Sequence, residues 1–498
     1  MGTQLRTIGR QTMVYTGGVI IGKVASFIML PVYTRYLTPA DYGVLELLGM
    51  TIEVIGLITG AGIMGAVFKF YHAEEQQEEK KKVISTAALG VGAIATVATI
   101  VGLMIAPELL NLTFGSTANL PYLQLYFLLF FLQNFEQVPL ALVRAENRAV
   151  LFITVNSVKL VMMLSLNVLF VVYLHMGIRG VLTSSIITAA VVAIGMSGYL
   201  VRRAGIAFAG DKFRQMLGFG LPLVPWWVAN FVLVFSDRFF LNHYTDTSTV
   251  GIYSLGYKFA FLLNALAFTP FDTIWSSARF EVAKRANASE IYARVFLYMN
   301  VGLGSLGLVL CLYVRDFLSI MSDPAFLPAY RVVPLLIAAQ VVFTWAGYWN
   351  LGIYVSGRTR IMATASIVLV PLTLILNYLF IPRFGMYGAA WATFASYLAR
   401  FFWIYYFAQL YYPIRYQWAD IAKLYGILGA GVALAFAFRP GPLPASIAWN
   451  TAILLTSIGL VNSLVLSADD RTALKTALAG GIPAMMRRLA QGNTRVGF

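Results

Sequence analysis

The chain is punctuated by apolar runs of about 20 residues, the length an α-helix needs to cross a bilayer, and inside lipid only helices and closed barrels can satisfy their own backbone. Fourteen such runs begin near residues 12, 42, 83, 120, 150, 180, 216, 250, 295, 330, 361, 387, 420 and 446. The expected fold is an all-α polytopic membrane protein with about 14 transmembrane helices. Composition points the same way, because 59% of residues are hydrophobic and 11% charged, more apolar surface than a water-soluble core can hide. The first run follows Arg6 and Arg10, is too long for a signal-peptide core and lacks a small-x-small cleavage site, so it is read as an uncleaved first span.

A second constraint is internal duplication. Residues 167–180 are NVLFVVYLHMGIRG and residues 377–388 are NYLFIPRFGMYG, each with Asn-x-Leu-Phe followed by Gly-x-x-Gly. Gly177 and Gly385, Gly180 and Gly388, and Gly43 and Gly251 all stand 208 positions apart. The spacing predicts two parallel six-helix repeats, over 1–210 and 211–411, followed by a helix pair and tail over 412–498. Parallel repeats imply a pseudo-twofold axis along the membrane normal and a site where the repeats meet.

The basic residues set the orientation. Of 36 Lys and Arg, only Arg35, Arg179, Arg315, Arg331, Arg383 and Arg439 fall on one side, and Lys23, Lys159, Arg238, Lys258 and Arg400 fall within spans. The remainder lie on the side that holds both termini, which the positive-inside rule makes cytoplasmic. This asymmetry accounts for the net charge of +15 with no nucleic-acid partner. Cys311 is the single cysteine, so no intrachain disulfide exists, and His72, His175 and His243 fall in separate segments with no metal-ligand spacing.

Polar residues inside spans mark the candidate site. Glu46, Gly49, Glu53, Gly56 and Gly60 share one face of the second span; Gln133, Asn134, Glu136 and Gln137 interrupt the fourth; Asn156, Lys159, Met163 and Asn167 form a stripe on the fifth. Lys23 sits mid-way along the first span, and Arg400 shares a face of the twelfth with Thr393 and Ser396. Lys258 and Asp272 are about 21 Å apart along one helix, at 1.5 Å per residue, so they cannot pair directly. The last two spans hold few polar groups and are expected to face lipid.

A cation at the centre of a spanning helix costs roughly 2.5 to 3.5 kcal/mol, so the five buried cations must face protein or water. Two readings stay open. They pair internally with Glu46, Glu53, Glu136, Asp237 and Asp272, or they line a water-filled cavity that attracts an anionic head group. Lys23 and Lys159 lie on otherwise polar stripes and are the strongest candidates for the second reading; Arg238, near the outer end, could snorkel. Glu53, Asp272 and Glu136 are candidates for ion coupling or structural pairing. No P-loop, kinase-like glycine loop or GxSxG elbow is present, which gives no support to ATP-driven transport by this chain alone or to serine-type hydrolysis.

Three stretches carry a family resemblance: LPVYTRYLTPADYGVLEL at 30–47, FGLPLVP at 219–225 before SDRFFL at 236–241, and the repeated Asn-x-Leu-Phe with Gly-x-x-Gly. The set resembles Wzx-type polysaccharide flippases of the multidrug/oligosaccharidyl-lipid/polysaccharide exporter superfamily. The resemblance implies export of a polyprenyl-diphosphate-linked oligosaccharide from the inner to the outer leaflet of a bacterial cytoplasmic membrane by alternating access. The cavity cations Lys23, Lys159, Lys258, Arg400 and Arg238 would meet the diphosphate, no cofactor is needed, and a proton or sodium gradient could drive the cycle. Membrane lipids, a polysaccharide polymerase and other biosynthesis proteins are the implied partners. A peptidoglycan-precursor flippase and a drug/cation antiporter of the same superfamily are the nearer alternatives. A membrane polymerase or glycosyltransferase is the alternative of another class; it calls for a large outward loop, whereas the outward connections here are only about 5 to 15 residues.

The orientation is open to direct test: reporter domains fused after residue 115 should report outside and those after residue 208 inside. The opposite pair of results overturns it.

Overall fold

The computed structural model describes residues 27 and 29–474, apart from 61, 359 and 439. Its helices in chain order are α1 (Leu30–Tyr36), α2 (Pro39–Gly60), α3 (Ile63–Ala73), α4 (Gln77–Met104), α5 (Ala106–Phe114), α6 (Leu120–Ala145), α7 (Ala149–Asn167), α8 (Gly177–Ala204), α9 (Gly210–Gly220), α10 (Val224–Tyr244), α11 (Thr247–Leu263), α12 (Thr269–Val282), α13 (Ala288–Met321), α14 (Val333–Val355), α15 (Arg360–Tyr411), α16 (Trp418–Ala437) and α17 (Leu443–Leu464). Among the described residues 12 helical segments are long and apolar enough to cross a membrane. The 52-residue α15 contains two crossings, because Gly385 breaks it at φ 53°, ψ −129°, a backbone conformation open mainly to glycine. Those two crossings are the predicted runs from 361 and 387. The predicted first span lies largely outside the described residues.

The duplicated motif has a structural role in each copy. Asn167 accepts from Tyr33 Oη of α1 at 3.3 Å, and Asn377 donates to Ser236 Oγ of α10 at 3.1 Å, so each copy clasps the opening helix of its own repeat. Gly177 and Gly385 both have positive φ and turn the chain after the motif. A Cβ on Gly180 would lie 3.0 Å from the carbonyl oxygen of Phe170, and one on Gly388 2.2 Å from that of Phe380. The motif phenylalanine thus presents its backbone to a glycine one turn into the next helix in both repeats.

Packing divides the chain into two compact units. The first gathers the chain through Ser254 with Val370–Ala389, and the second Leu255–Leu369 with the chain from Ala390 onward. These units are drawn on contacts and the repeats on sequence, so α10 and the motif segment of α15 belong to the first unit although they lie in the second repeat. In the first unit, Leu45, Leu48, Leu110, Leu123, Phe127 and Leu182 form one buried cluster, and Ile63, Val67, Ile84, Val138, Leu142 and Met216 another. Gly102 permits close approach, since a Cβ there would meet the Phe127 ring at 2.1 Å.

The second unit is built on aromatics. Trp275 stacks on Tyr348 at 5.6 Å with planes 6° apart, and Tyr348 donates to the Tyr292 carbonyl at 2.8 Å. Asn300 Oδ1 accepts from both Trp345 and Tyr425, joining α13, α14 and α16. The terminal helix pair leaves most of its surface unburied by protein, in keeping with the lipid-facing expectation, but one face is packed. Asp316 of α13 accepts from Ser446 Oγ at 2.9 Å and Asn450 Nδ2 at 2.8 Å, and Asn450 also donates to the Leu312 carbonyl at 2.9 Å. One face of α17 is therefore polar and bound to a buried carboxylate, because isolated polar groups are too costly to leave in hydrocarbon.

Candidate functional site

Helix α2 presents different chemistry on its two faces. At about 100° per residue, Gly49, Ile52, Glu53, Gly56 and Leu57 fall on one side and Thr51, Val54 and Ile55 on the other. The first side borders a cavity of about 430 Å³, closed by Tyr126, Leu129, Phe130, Gln133, Asn134 and Gln137 of α6. Gly49 and Gly56 leave room on the α2 side, while the α6 residues recur at steps of three and four and so project together. Asn134 donates its amide to the Phe130 carbonyl at 2.8 Å, which leaves its Oδ1 as the acceptor. Tyr126 donates to the Leu45 carbonyl at 2.8 Å, fixing its ring between the helices. One carboxylate and three carboxamides in one cavity can both accept and donate hydrogen bonds to a ligand rich in hydroxyls.

The second side of α2 borders an apolar groove of about 530 Å³, lined by Leu109, Leu112 and Thr113 of α5 and Phe239, Phe240, His243 and Tyr244 of α10. Asn242 Nδ2 donates to the Thr113 carbonyl at 2.6 Å, tying the end of α10 to α5 at one edge of the groove. A groove of this lining suits hydrocarbon.

The predicted cations are placed as follows. Lys159 of α7 forms an ion pair with Glu136 of α6; the lysine side chain is 31% exposed and the glutamate 8%. This is the internal-pairing reading for that lysine, with Glu136 as the partner. Arg238 is buried at 1% exposure and bonds Asp237 at 2.7 Å and the Val234 carbonyl at 2.6 Å. Asp237 in turn accepts from Tyr253 Oη at 2.6 Å. Arg238 is enclosed among Phe235 and Tyr253 rather than snorkelling toward an interface. Lys258 on α11, Asp272 on α12 and Arg400 on α15 are half-buried in the second unit, with the Arg400 guanidinium 5.1 Å from the Phe343 ring centre. Lys23 lies outside the described residues.

The carboxamides of the cavity were visible in the sequence as an interruption of the fourth span, but their convergence on Glu53 was not. The signal was the four-residue step from Gln133 to Gln137 facing the Gly49–Glu53–Gly56 face.

Residues 8–275 match the family model described as polysaccharide biosynthesis protein. The chain belongs to this family. Family membership places it in the multidrug/oligosaccharidyl-lipid/polysaccharide exporter superfamily, whose members are membrane transporters rather than enzymes. Among solved structures, this chain is similar to lipid II flippase MurJ in an inward closed conformation, with TM-score 0.71 and 11% identity over 90% of this chain and 99% of that one. It is also similar to an inward-facing multidrug resistance MATE family transporter, with TM-score 0.63 and 13% identity over 78% of this chain and 94% of that one. At these identities the likeness is one of fold. An uncharacterized membrane protein of Methanocaldococcus jannaschii is 22% identical over 262 residues, 49% of this chain and 50% of that protein; the chain spans about half the length of the curated relative it matches.

The ion pair yields a prediction. Lys159→Ala leaves Glu136 buried without its cation, so the variant should lose roughly 1–3 kcal/mol and accumulate poorly in membranes. Adding Glu136→Gln should restore abundance, as read by immunoblot and thermal unfolding in detergent. A fully abundant Lys159→Ala single variant contradicts the pairing.

Proposed function

We propose that the protein moves a polyprenyl-diphosphate-linked oligosaccharide from the inner to the outer leaflet of a bacterial cytoplasmic membrane by alternating access. The observation that carries this reading is the two-faced α2, with a hydroxyl-matching cavity on one side and an apolar groove on the other. With both termini cytoplasmic, Glu53 lies about 21 Å from the outer end of α2 at 1.5 Å per residue, in the inner half of the membrane. The groove reaches toward the outer end of α10. An amphiphile with a glycan head and an isoprenoid tail fits that arrangement, as does the description of the family.

In this reading the sugar hydroxyls exchange water for Gln133, Asn134, Gln137 and Glu53. The diphosphate is met by Lys23 and Lys159 through charge-assisted hydrogen bonds, which are strongest where screening is weak. Lys159 keeps part of its side chain accessible while bonded to Glu136, whereas Arg238 is buried and is assigned to structure. Glu53 and Asp272 are the proposed carriers of a coupling proton or sodium ion, and a polysaccharide polymerase is the proposed consumer of the flipped glycan.

Mass spectrometry of lipid-linked glycans in cells lacking the protein tests the reading. A polyprenyl-diphosphate oligosaccharide should accumulate and surface polysaccharide should fall. Accumulation of the peptidoglycan precursor instead favours the lipid II substrate, and no accumulation of either sinks the flippase reading. The abundant Lys159→Ala, Glu136→Gln double variant should accumulate the same oligosaccharide as the deletion; normal export by it removes Lys159 from the head-group site.

A further inference from the structure

Two glycines that mark the duplication also make the closest backbone approach among the described glycines. A Cβ on Gly43 would stand 2.0 Å from the Thr247 carbonyl oxygen, and one on Gly251 2.0 Å from the Pro39 carbonyl oxygen. Pro39 and Thr247 open α2 and α11 and, like the two glycines, are 208 positions apart. The contact is therefore reciprocal: each glycine rests on the first carbonyl of the other helix, a self-complementary arrangement of the kind twofold symmetry produces.

Both first turns are fixed from within. Thr38 Oγ1 donates to Asp41 Oδ2 at 2.7 Å and accepts from the Asp41 amide at 3.1 Å. Asp246 Oδ1 accepts from the Thr249 amide at 2.8 Å, and its Oδ2 from Thr249 Oγ1 at 2.9 Å. The 208-residue offset pairs Thr38 with Asp246 and Asp41 with Thr249, so the two residue types exchange places while the cap is kept. Gly43 and Gly251 are both buried. Where the two first turns cross, backbone meets backbone, Cα–H groups against carbonyl oxygens, with the Thr247 methyl alongside. Such contacts are individually weak but leave no room for a methyl group between the helices. Close contact without a salt bridge between these glycines and carbonyls suits a seal that opens on every cycle, since a buried salt bridge would resist parting far more.

We propose that the Gly43–Thr247 and Gly251–Pro39 crossing is the outer seal of the transport path, closed in this structure and parted when the head group leaves on the outer side. Gly43 and Gly251 act as positioning residues that allow the closed state to form, and need not touch the substrate. The inference rests on the transport reading above and on the predicted orientation.

The test uses full-length protein in lipid nanodiscs, in a Cys311→Ser background, with spin labels on Ala40→Cys and Ser248→Cys, one in each first turn. Double electron–electron resonance should show a dominant short distance. Gly43→Ala and Gly251→Ala should each lose that short population, whereas Gly198→Ala, where nothing lies within 4 Å of the added Cβ, should keep it. An unchanged distance distribution in a monodisperse Gly43→Ala variant overturns the proposal. A second arm leaves the glycines intact: joining Ala40→Cys to Ser248→Cys with a short, reducible bifunctional thiol reagent should stop glycan export, and reduction should restore it. Export through the cross-linked protein also overturns the seal. The distance measurement is independent of what is carried, so if the unmodified protein exports no glycan, the transport reading fails while the closure result stands.

Discussion

An ionised side chain inside a membrane-spanning helix must be answered by an opposite charge or by water, and the first unit is arranged around meeting that demand. Lys159 meets Glu136 across α7 and α6. Arg238 meets Asp237, and Asp237 is held in turn by Tyr253 of α11. The Lys159–Glu136 pair ties α7 to α6, and the Asp237–Tyr253 bond ties α10 to α11, at a depth where apolar packing alone gives little preference for one partner over another, since lipid tails are as apolar as leucine. Asp316, bound by Ser446 and Asn450, applies the same device in the second unit and fastens the terminal helix pair to α13. Polar interactions choose which helices meet, and small residues such as Gly102 and Gly388 decide how closely.

Much of this was legible from residue order. Apolar run length located the spans because the bilayer imposes a similar length on all of them, and the described spanning helices start within seven residues of the predicted runs. The repeat was legible because Gly177, Gly180 and their counterparts serve backbone geometry, which tolerates little substitution. Partner choice was not legible. Glu46, Glu53 and Glu136 all offered carboxylates to Lys159 at the level of sequence, and only the packing of α6 on α7 selects Glu136. The polar face of α17 was missed because Ser446 and Asn450 are sparse in an apolar run and look incidental until Asp316 is placed beside them. Gly43 and Gly251 stood out as repeat landmarks, yet their mutual approach depends on two helices that are 208 residues apart in the chain.

The candidate site follows from the same economy. Helix α2 borders a polar cavity where α6 supplies carboxamides and an apolar groove where α5 and α10 supply aliphatic and aromatic side chains. In the proposed reading the polar lining meets the head group of an amphiphile and the apolar lining its hydrocarbon tail. The description of the family is in keeping with a glycan-bearing amphiphile, and the proposal assigns recognition of its sugar end to the carboxamides and carboxylate of the cavity.

The central claim is that this chain carries a lipid-linked glycan between leaflets, and it is tested most directly with purified protein in vesicles. Polyprenyl-diphosphate oligosaccharide would be incorporated in both leaflets, and membrane-impermeant periodate added outside to oxidise the exposed sugar. Vesicles with the protein should allow the inner pool to be oxidised over time, while protein-free vesicles should protect it. An inner pool that stays equally protected in both, with folded protein present and the proton or sodium gradient applied in either direction, would contradict the account.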